Sequence, residues 1–436
     1  MKRHLIGIGG VGMSALATAF VRLGDEVTGA DRTLGTPNIR FLESLGVKVY
    51  PDDGSGIDQA TDEVIVSTVI EETNAGLVKA KELGIPVTHR AKALSRTLKD
   101  YKLVAVVGTC GKSTVTAMLG HVLAECGFDP MCVNGANVPG WEGAVRFGKG
   151  EYAVAEVDES DKSLVAFKPY AAIVTNASAD HYSKEEMDEV FDAFVKDCEG
   201  PVVDGRNVGI WKYENGGIDE LGNGGIGEWV TPLPGKHNLQ NAALAAKMAL
   251  ALGCKPDDIR RALASFRGVE RRLQLISPAI KQSNNQTIKQ SPVVYDDYAH
   301  NPEKLKAMWM TLAEKHPGGI CVIWRPHGYA PLRKMTDALA VMFAETVRPC
   351  DKLLLLPVYD AGGTTDRSVN SDALVGAIAT ARSSRGSSDS RTVELISDLD
   401  AAYAWCAAHK GDCAAFVTCG ARDPGLPVLA KRLSEM

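Results

Sequence analysis

The residues from Val104 to Thr116 have the types and spacing needed to bind nucleotide phosphates. A β-branched run, Val104-Ala-Val-Val, leads into the turn Gly108-Thr-Cys-Gly111-Lys112-Ser113-Thr. Glycines let the backbone curl so that its N–H groups face an anion, and the helix expected from Ser113 adds the positive end of its dipole. Lys112 would reach the β- and γ-phosphates, and the Ser113 hydroxyl would bind Mg²⁺. The residues predicted to bind ATP here are Gly108, Thr109, Cys110, Gly111, Lys112, Ser113 and Thr114.

This turn is shorter than the general phosphate-loop pattern, with only Thr109 and Cys110 between its glycines. The alternative is a glycine-rich turn between a strand and a helix that carries an incidental lysine. The apolar patterns on both sides favour the phosphate site.

A second glycine-rich turn lies close to the N-terminus. Gly7, Gly9 and Gly12 follow a short apolar run and precede an Ala/Leu-rich segment, and Asp31 ends the next predicted strand. This context is typical of a dinucleotide-binding fold. Taken alone, the segment predicts an NAD-binding domain, and an NAD-dependent dehydrogenase is therefore one of the alternatives.

The composition of the chain is typical of a globular protein of more than one domain. The chain has 436 residues, 45% hydrophobic, with 48 basic and 54 acidic residues and a net charge of -6. This length predicts two or three domains, and the acidic balance disfavours nucleic acid as a partner. Ten cysteines without C-x-x-C pairs indicate reduced thiols rather than a disulfide framework. Glycines interrupt the N-terminal apolar run, and no run is long enough for a bilayer, so we expect a cytoplasmic protein without membrane partners.

Three α/β segments follow one another along the chain. Residues 1–100 are predicted to form a Rossmann-like domain, 101–268 a central α/β domain with the phosphate loop, and 269–436 a second Rossmann-like domain. Candidate strands end in polar residues, which is where ligands bind in open α/β sheets. A glycine-rich stretch, 205–227, predicts loops or hairpins, and the polar run 282–287 predicts a hairpin tip or surface loop.

Five motifs in this order resemble those of the Mur ligase family. They are the phosphate loop, Glu156-Val-Asp-Glu-Ser-Asp161, Thr175-Asn176 with Asp180-His181, Pro234-Gly-Lys-His-Asn238, and Asp296-Asp-Tyr-Ala-His-Asn-Pro302. The resemblance covers essentially the whole chain and implies ATP-dependent amide synthesis on the carboxylate of a UDP-sugar. The segments around His4–Met13 and Arg325–Tyr329 are most similar to those of the alanine-adding members.

The resemblance also implies roles for particular residues. Lys112, Glu156, His181 and His300 would be catalytic, with Ser113 and Glu156 on one Mg²⁺ and His181 on a second. The residues that would bind the rest of ATP are His237, Asn241, Arg271 and Arg272. The residues that would bind the UDP-sugar are Gly9, Gly10, Val11, Gly12, Met13, Asp31, Ser67 and Thr68, with His89 and Arg90 as further candidates. The residues that would bind the amino acid or a carboxylate are Asp297, Tyr298, Asn301, His327 and Arg333.

Each of these roles has a structural alternative. His181 could be a helix cap or a core histidine, and His237 with Asn241 could simply cap a helix. Arg271 and Arg272 could be solvated surface residues, and His327 or Arg333 could also be a surface residue. The residues that could have ordinary loop roles are Ser67, Thr68, His89 and Arg90.

The chain also departs from the alanine-adding pattern. Cys110 stands where those members usually carry His, and Ser113 stands in place of Thr. Gly328 and Pro331 stand where the alanine-adding members carry arginines. Only 52 residues separate His181 from Pro234, which predicts a shortened central domain. The alternatives that remain are a ligase for another amino acid or peptide and a nucleotide-binding regulator without turnover. We expect small-molecule substrates and a monomer or a weak homo-oligomer.

Overall fold

The computed structural model describes residues 1–158, 163–177, 184–206, 211–214, 217–220, 229–276, 293–360, 366–385 and 392–436. These residues form two compact units, 1–269 and 270–436. The first unit contains two large sheets and the second contains one, so each of the three predicted segments carries its own α/β sheet. Among the described residues, no helix has both the length and the apolarity needed to cross a bilayer.

The first sheet is entirely parallel. Its elements are β1 (Lys2–Ile6), α1 (Val11–Arg22), β2 (Glu26–Asp31), α2 (Pro37–Ser44), β3 (Lys48–Pro51), β4 (Glu63–Val66), α3 (Ala75–Glu82), β5 (Val87–His89) and α4 (Arg90–Thr97). The strand order is β3-β2-β1-β4-β5, so the winding reverses at β1. Ligands bind beside such a reversal point, at the carboxyl ends of the strands. The predicted glycine turn follows β1 at this place, which confirms the Rossmann-like prediction.

The second sheet carries the phosphate loop. Its segment contains β6 (Lys102–Val107), α5 (Lys112–Glu125), β7 (Met131–Val133), β8 (Val145–Arg146), β9 (Tyr152–Glu156), a 3-10 helix (Ser163–Ala166), β10 (Ala171–Val174), α6 (Lys184–Val195), β11 (Val202–Asp204), β12 (Trp211–Glu214), β13 (Gly217–Glu220), α7 (Lys236–Ala251) and α8 (Pro256–Ser265). The order is β11-β10-β6-β9-β7-β8, with only β8 antiparallel. The strands β12 and β13 form a separate hairpin within the glycine-rich stretch.

The second unit contains the third sheet. Its elements are β14 (Gln274–Ile276), β15 (Val293–Asp297), α9 (Pro302–Lys315), β16 (Ile320–Trp324), α10 (Tyr329–Thr346), β17 (Lys352–Leu355), α11 (Ser371–Ser383), β18 (Val393–Leu395), α12 (Leu399–Ala408), β19 (Ala415–Cys419) and α13 (Gly425–Ser434). The order is β14-β15-β19-β16-β17-β18, and only β14 is antiparallel. The last strand of the chain, β19, therefore lies between β15 and β16. The run 282–287 lies outside the described residues.

The cores explain why these segments fold as layered sheets. The side chains of Val104–Val107 in β6 are fully buried because helices and loops cover both faces of this parallel sheet. On α7 the residues that meet α5 are mostly alanines, whose small side chains let the two helices pack closely. This packing brings the beginning of α7 to the phosphate loop.

Candidate active site

Two glycines give the phosphate loop its shape. Gly108 has φ 128° and Gly111 has φ 85°, in the region that favours glycine. A Cβ at Gly108 would collide with the Thr175 hydroxyl, and one at Gly111 would collide with the side-chain oxygen of Asn241. Gly111 is also the N-cap of α5 and makes no side-chain cap, so the first N–H groups of this helix can face an anion.

The residues that follow β10 hold the phosphate loop by hydrogen bonds to its backbone. The Asn176 side chain makes two hydrogen bonds with the backbone of Cys110. Its Nδ2 donates to the Cys110 oxygen at 2.9 Å, and its Oδ1 accepts from the Cys110 nitrogen at 2.9 Å. The Thr175 hydroxyl donates to the same oxygen at 2.6 Å. The Thr109 nitrogen donates to the Asn176 carbonyl at 3.3 Å. Thr175 and Asn176 therefore hold the backbone of the loop in place.

Charged and hydroxyl groups surround this loop. The Lys112 Nζ donates to the Gly108 carbonyl at 2.7 Å and lies 4.0 Å from the Asp158 carboxylate. Glu156 ends β9, which pairs with β6, and its Oε2 accepts from the Gly135 nitrogen at 2.8 Å. Ser113 and Thr114 are buried in the first turn of α5. The geometry brings a lysine, carboxylates and a hydroxyl to the ends of two adjacent strands.

His181 falls in 178–183, outside the described residues, so its predicted metal role stays a prediction. Within the ranges that the structure describes, no group of three His, Cys, Asp or Glu side chains is arranged to hold a metal ion. Mg²⁺ is often bound by only one or two protein oxygens together with substrate phosphates. The donors that are placed, Ser113 and Glu156, fit that pattern.

The start of α7 supplies the other predicted nucleotide contacts. Asn241 is buried beside Gly111, and its Nδ2 donates to the Asn238 Oδ1 at 3.3 Å. His237 is half-buried one turn earlier, and burial lowers its pKa, so its ring is neutral at pH 7. Neither side chain acts as the N-cap of α7, because that position is Gly235. The structure therefore disfavours the simple helix-cap alternative for both residues.

The N-terminal glycine turn is held by polar contacts of its own. The Gly9 nitrogen donates to the Asp31 Oδ2 at 2.9 Å, and the Asn38 Nδ2 donates to the Gly9 carbonyl at 2.9 Å. The N-cap of α1 is Gly10, without a side-chain cap. Above the turn, the Arg90 guanidinium lies 3.0 Å from where a Cβ at Gly12 would be. A cation and an uncapped helix N-terminus thus lie close together, an arrangement that favours an anion.

The other predicted UDP-sugar residues differ in how they are placed. Ser67 and exposed Thr68 follow β4, next to β1 in the sheet. Met13 is buried and Val11 packs against the core, so their backbone groups rather than their side chains would be available to a ligand.

The second unit brings two predicted histidines together. The rings of His300 and His327 lie edge to face, with centroids 4.9 Å apart. Burial lowers the pKa of His300 to about 4, helped by the charge of Lys304. Burial also lowers the pKa of His327 to about 4, helped by the charges of Arg422 and Lys304. Both imidazoles are neutral at pH 7, and the His300 Nδ1 lies 2.9 Å from the Tyr298 carbonyl.

Asp297 and the two consecutive arginines are engaged within the second unit. Arg271 donates from Nε to Asp296 at 3.1 Å and from Nη2 to the Gly420 carbonyl at 2.5 Å. Burial raises the pKa of Asp296 to about 6 despite this arginine. Asp297, whose pKa burial also raises, accepts from the nitrogens of Leu273 and Ala299. Arg271 therefore has a structural role here, and its role toward ATP stays a prediction.

The remaining predicted residues of this unit have contacts of their own. Arg271 and Arg272 lie over the Tyr298 ring, at 5.2 and 5.1 Å from its centroid. Asn301 caps α9 by accepting from the Lys304 nitrogen at 2.9 Å. Arg333 forms a partly exposed ion pair with Asp366 at 2.7 Å. Their predicted roles toward a substrate stay predictions.

Several residues that shape these sites were not predicted as site residues. Arg422 and Lys304 lie within electrostatic range of the paired histidines, and Asn38 holds the N-terminal turn. Arg422 follows the end of a buried parallel strand, the signal that marked the other candidates. Lys304 and Asn38 lie in the first turns of helices, where sequence offers no comparable signal.

Comparisons with known proteins agree with this arrangement. A family model described as the catalytic domain of the Mur ligase family matches residues 2–102, and one described as the glutamate ligase domain of Mur ligases matches residues 285–422. UDP-N-acetylmuramate–L-alanine ligase of Agrobacterium fabrum is 30% identical over 94% of this chain and 92% of that protein. The enzyme of the same name from Rubrobacter xylanophilus is 34% identical over 87% of this chain and 89% of that protein.

A solved structure shares the fold. The UDP-N-acetylmuramate–alanine ligase of Thermotoga maritima superimposes with a TM-score of 0.78 at 24% identity, over 100% of this chain and 98% of that one. Together with the full-length relatives, this likeness confirms the three-domain α/β prediction. The chain therefore belongs to the Mur ligase family and is an ATP-dependent ligase.

Proposed function

We propose that this protein joins L-alanine to the carboxylate of UDP-N-acetylmuramate, a step in peptidoglycan precursor synthesis, with conversion of ATP to ADP and phosphate. The observation that carries this proposal is the preformed phosphate loop, in which Asn176 and Thr175 hold the backbone while Lys112, Ser113 and Glu156 surround it. Relatives of that name at 30 to 34% identity support the choice of substrates.

The chemistry needs an activated carboxylate, because a carboxylate oxygen is a poor leaving group when an amine attacks. The carboxylate oxygen attacks the γ-phosphorus and ADP leaves, which produces an acyl phosphate. The amino group of alanine then attacks the acyl carbon, and phosphate leaves with its electron pair as the amide forms. Such phosphoryl transfer depends on positioning and charge neutralisation. Lys112 and the loop N–H groups would hold the β- and γ-phosphates through both steps.

Mg²⁺ fits the donors at this loop. The Ser113 hydroxyl and the Glu156 carboxylate are hard oxygen ligands at the ends of neighbouring elements, and His181 is the proposed ligand for a second ion. Bound there, Mg²⁺ would neutralise charge on the phosphates. Gly135 positions Glu156 for this role through its 2.8 Å hydrogen bond.

The UDP-sugar would bind at the first sheet. The uncapped N-terminus of α1, with Arg90 above Gly12, suits a pyrophosphate. The Asp31 carboxylate keeps the turn in shape by accepting from Gly9. Ser67 and Thr68, at the end of the neighbouring strand β4, are proposed to contact the same ligand.

The second unit would bind the amino acid. His300 is neutral at pH 7 because burial lowers its pKa to about 4, so its Nε2 can accept a hydrogen bond from the incoming amine and orient it. The proton that the amine loses as the amide forms would pass to the departing phosphate. We place the reaction in the cytoplasm, where ATP and nucleotide sugars are available, and propose a monomer or weak homo-oligomer as the working form.

The test is phosphate release from ATP with UDP-N-acetylmuramate and a panel of acceptors: L-alanine, glycine, L-serine, a tripeptide and no acceptor. We expect release that requires both UDP-N-acetylmuramate and L-alanine, with product identified by mass spectrometry. Turnover only with the tripeptide would replace this proposal by a peptide ligase, a second candidate that Gly328 and Pro331 favour by removing two arginines from the predicted amino-acid site. No release with any acceptor would favour a regulator without turnover.

A further inference from the structure

Three adjacent strands of the second unit end in register. Asp297 of β15 and Trp324 of β16 both pair with Cys419 of β19, the strand between them. The third residue after each paired position is, in sheet order, His300, Arg422 and His327. Although a strand separates β15 from β16, the two histidine rings are only 4.9 Å apart. The loops that follow β15 and β16 therefore approach each other at the carboxyl end of β19. Arg422 lies in the segment that follows β19.

The backbone on both sides of Arg422 is fixed. Asp423 accepts from Arg325 Nη1 at 2.6 Å and from the Gly425 nitrogen at 2.8 Å. Gly420 donates from its nitrogen to the Asp297 carbonyl at 3.1 Å. These contacts hold residues 420–423 against the ends of both neighbouring strands. The position of the Arg422 backbone is therefore set by the fold and does not depend on a ligand.

The carboxylates of this edge already have partners. Asp423 is paired with Arg325, and Asp297 accepts from two backbone nitrogens. Asp296 is paired with Arg271. The Arg422 side chain is exposed and makes no hydrogen bond or ion pair with the described residues of this unit. Among the described residues, no carboxylate forms an ion pair with this guanidinium.

The neighbouring groups make this edge attractive to an anion. Lys304 stands in the first turn of α9, and its charge acts on both histidines, while the charge of Arg422 acts on His327. The low pKa values of the histidines follow from burial and from these cations together. The neutral His300 ring donates from Nδ1 to the Tyr298 carbonyl, so its Nε2 is an acceptor. The positive charge of Arg422 and Lys304 is therefore what suits a carboxylate at this edge.

We propose that Arg422 binds the carboxylate of the incoming amino acid, between His300 and His327, and so determines that this ligase accepts a free amino acid. This inference rests on the proposed function. It also accounts for Gly328, the N-cap of α10, and Pro331 in the first turn of that helix, which stand where the alanine-adding pattern has arginines. In this chain the guanidinium that binds the carboxylate is supplied by Arg422, after the end of β19. Arg422 would offer two parallel donors, which fit a carboxylate bidentately.

The test compares wild-type enzyme with Arg422→Gln and Arg422→Lys. Losing a charge-assisted hydrogen bond should raise KM for L-alanine about 10- to 100-fold in Arg422→Gln and less in Arg422→Lys, with KM for ATP and for the UDP-sugar unchanged. Wild type should use L-alanine far better than L-alaninamide, which lacks the carboxylate, and Arg422→Gln should lose this preference. The matched control is Arg432→Gln, an exposed arginine on α13 that pairs with Asp400 at 2.7 Å.

Different results overturn different statements. An unchanged KM for L-alanine in a folded Arg422→Gln, with the melting temperature of the wild type, refutes the inference while leaving the proposed function intact. A rise in KM for ATP instead assigns Arg422 to a phosphate and also refutes it. Wild-type enzyme that uses another amino acid refutes the proposed substrate, and the same comparison is then made with that amino acid and its amide. Wild-type inactivity with every amino acid refutes both.

Discussion

Replacing Asn176 with alanine should weaken ATP binding without disturbing the UDP-sugar. The Asn176 side chain makes two 2.9 Å hydrogen bonds to the backbone of Cys110, one as donor and one as acceptor. Alanine removes both. The Thr175 hydroxyl still donates to the Cys110 oxygen, but the hydrogen bond from the Cys110 nitrogen to Asn176 is lost. The loop then samples conformations in which its N–H groups no longer converge on a phosphate.

The size of the effect follows from these two bonds. Each contributes about 1 kcal/mol, so the binding-competent loop is destabilised by about 2 kcal/mol relative to other conformations. Apparent affinity falls with the population of the competent state, and about 2 kcal/mol corresponds to about 30-fold. We therefore expect KM for ATP to rise about 10- to 30-fold. The effect of Thr175→Val should not add fully to it, because both side chains contact the same oxygen.

The measurement is KM for ATP at saturating UDP-sugar and amino acid, together with calorimetric binding of ADP and of the UDP-sugar. Asn370→Ala is the matched control, because Asn370 caps α11 in the second unit by accepting from the Ala373 nitrogen at 3.0 Å. That control should lose about 1 kcal/mol of stability and keep its KM for ATP. An Asn176→Ala enzyme with wild-type affinity for ATP and ADP would refute the view that these bonds shape the loop.

Two further predictions concern the lysine of the loop and the histidine pair. Lys112→Met should abolish turnover yet leave calorimetric UDP-sugar binding nearly unchanged, because the two ligands are assigned to different sheets; loss of both would show that this assignment is wrong. The second prediction concerns stability against pH. The pKa values of His300 and His327 are about 4 in the folded protein, against an ordinary value of 6.5, so the unfolded chain binds more protons between these values. The contribution of these two histidines to the free energy of unfolding should therefore be complete above pH 6.5 and should decrease as the pH falls toward 4. Urea titrations across this range measure it, and a His300→Gln/His327→Gln double variant with the wild-type slope would contradict the assignment.

Much of the fold was predictable because its signals are local. Unbroken apolar runs such as 104–107 and 320–323 identify buried parallel strands, and they lie in the strands β6 and β16. The described residues divide into the compact units 1–269 and 270–436, and the predicted domain boundaries near 100 and 268 stay predictions. Edge strands such as β14 and β18 were not predicted, because three half-exposed residues carry little periodicity.

The phosphate loop was predictable from sequence alone, because the groups proposed to bind phosphate are backbone N–H groups and side chains within seven consecutive residues. Gly108 and Gly111 adopt the positive φ angles that their residue type predicted. What holds that loop was decided by tertiary structure: Asn176 and Asn241 reach it from β10 and α7, 60 residues and more away. Spacing along the chain does not report such contacts, since strand order depends on how the core packs.

The carboxyl ends of β15, β19 and β16 show the same division most clearly. His300 and His327 were predicted from their motifs, yet neither motif indicated that their rings would meet or that Arg422 would stand between their strands. That arrangement exists because β19, the last strand of the chain, inserts between β15 and β16. The sequence determined which chemical groups the protein carries and predicted where its nucleotide binds. The sheet order, which is set by burial of apolar strands rather than by position in the chain, decided which of those groups lie together.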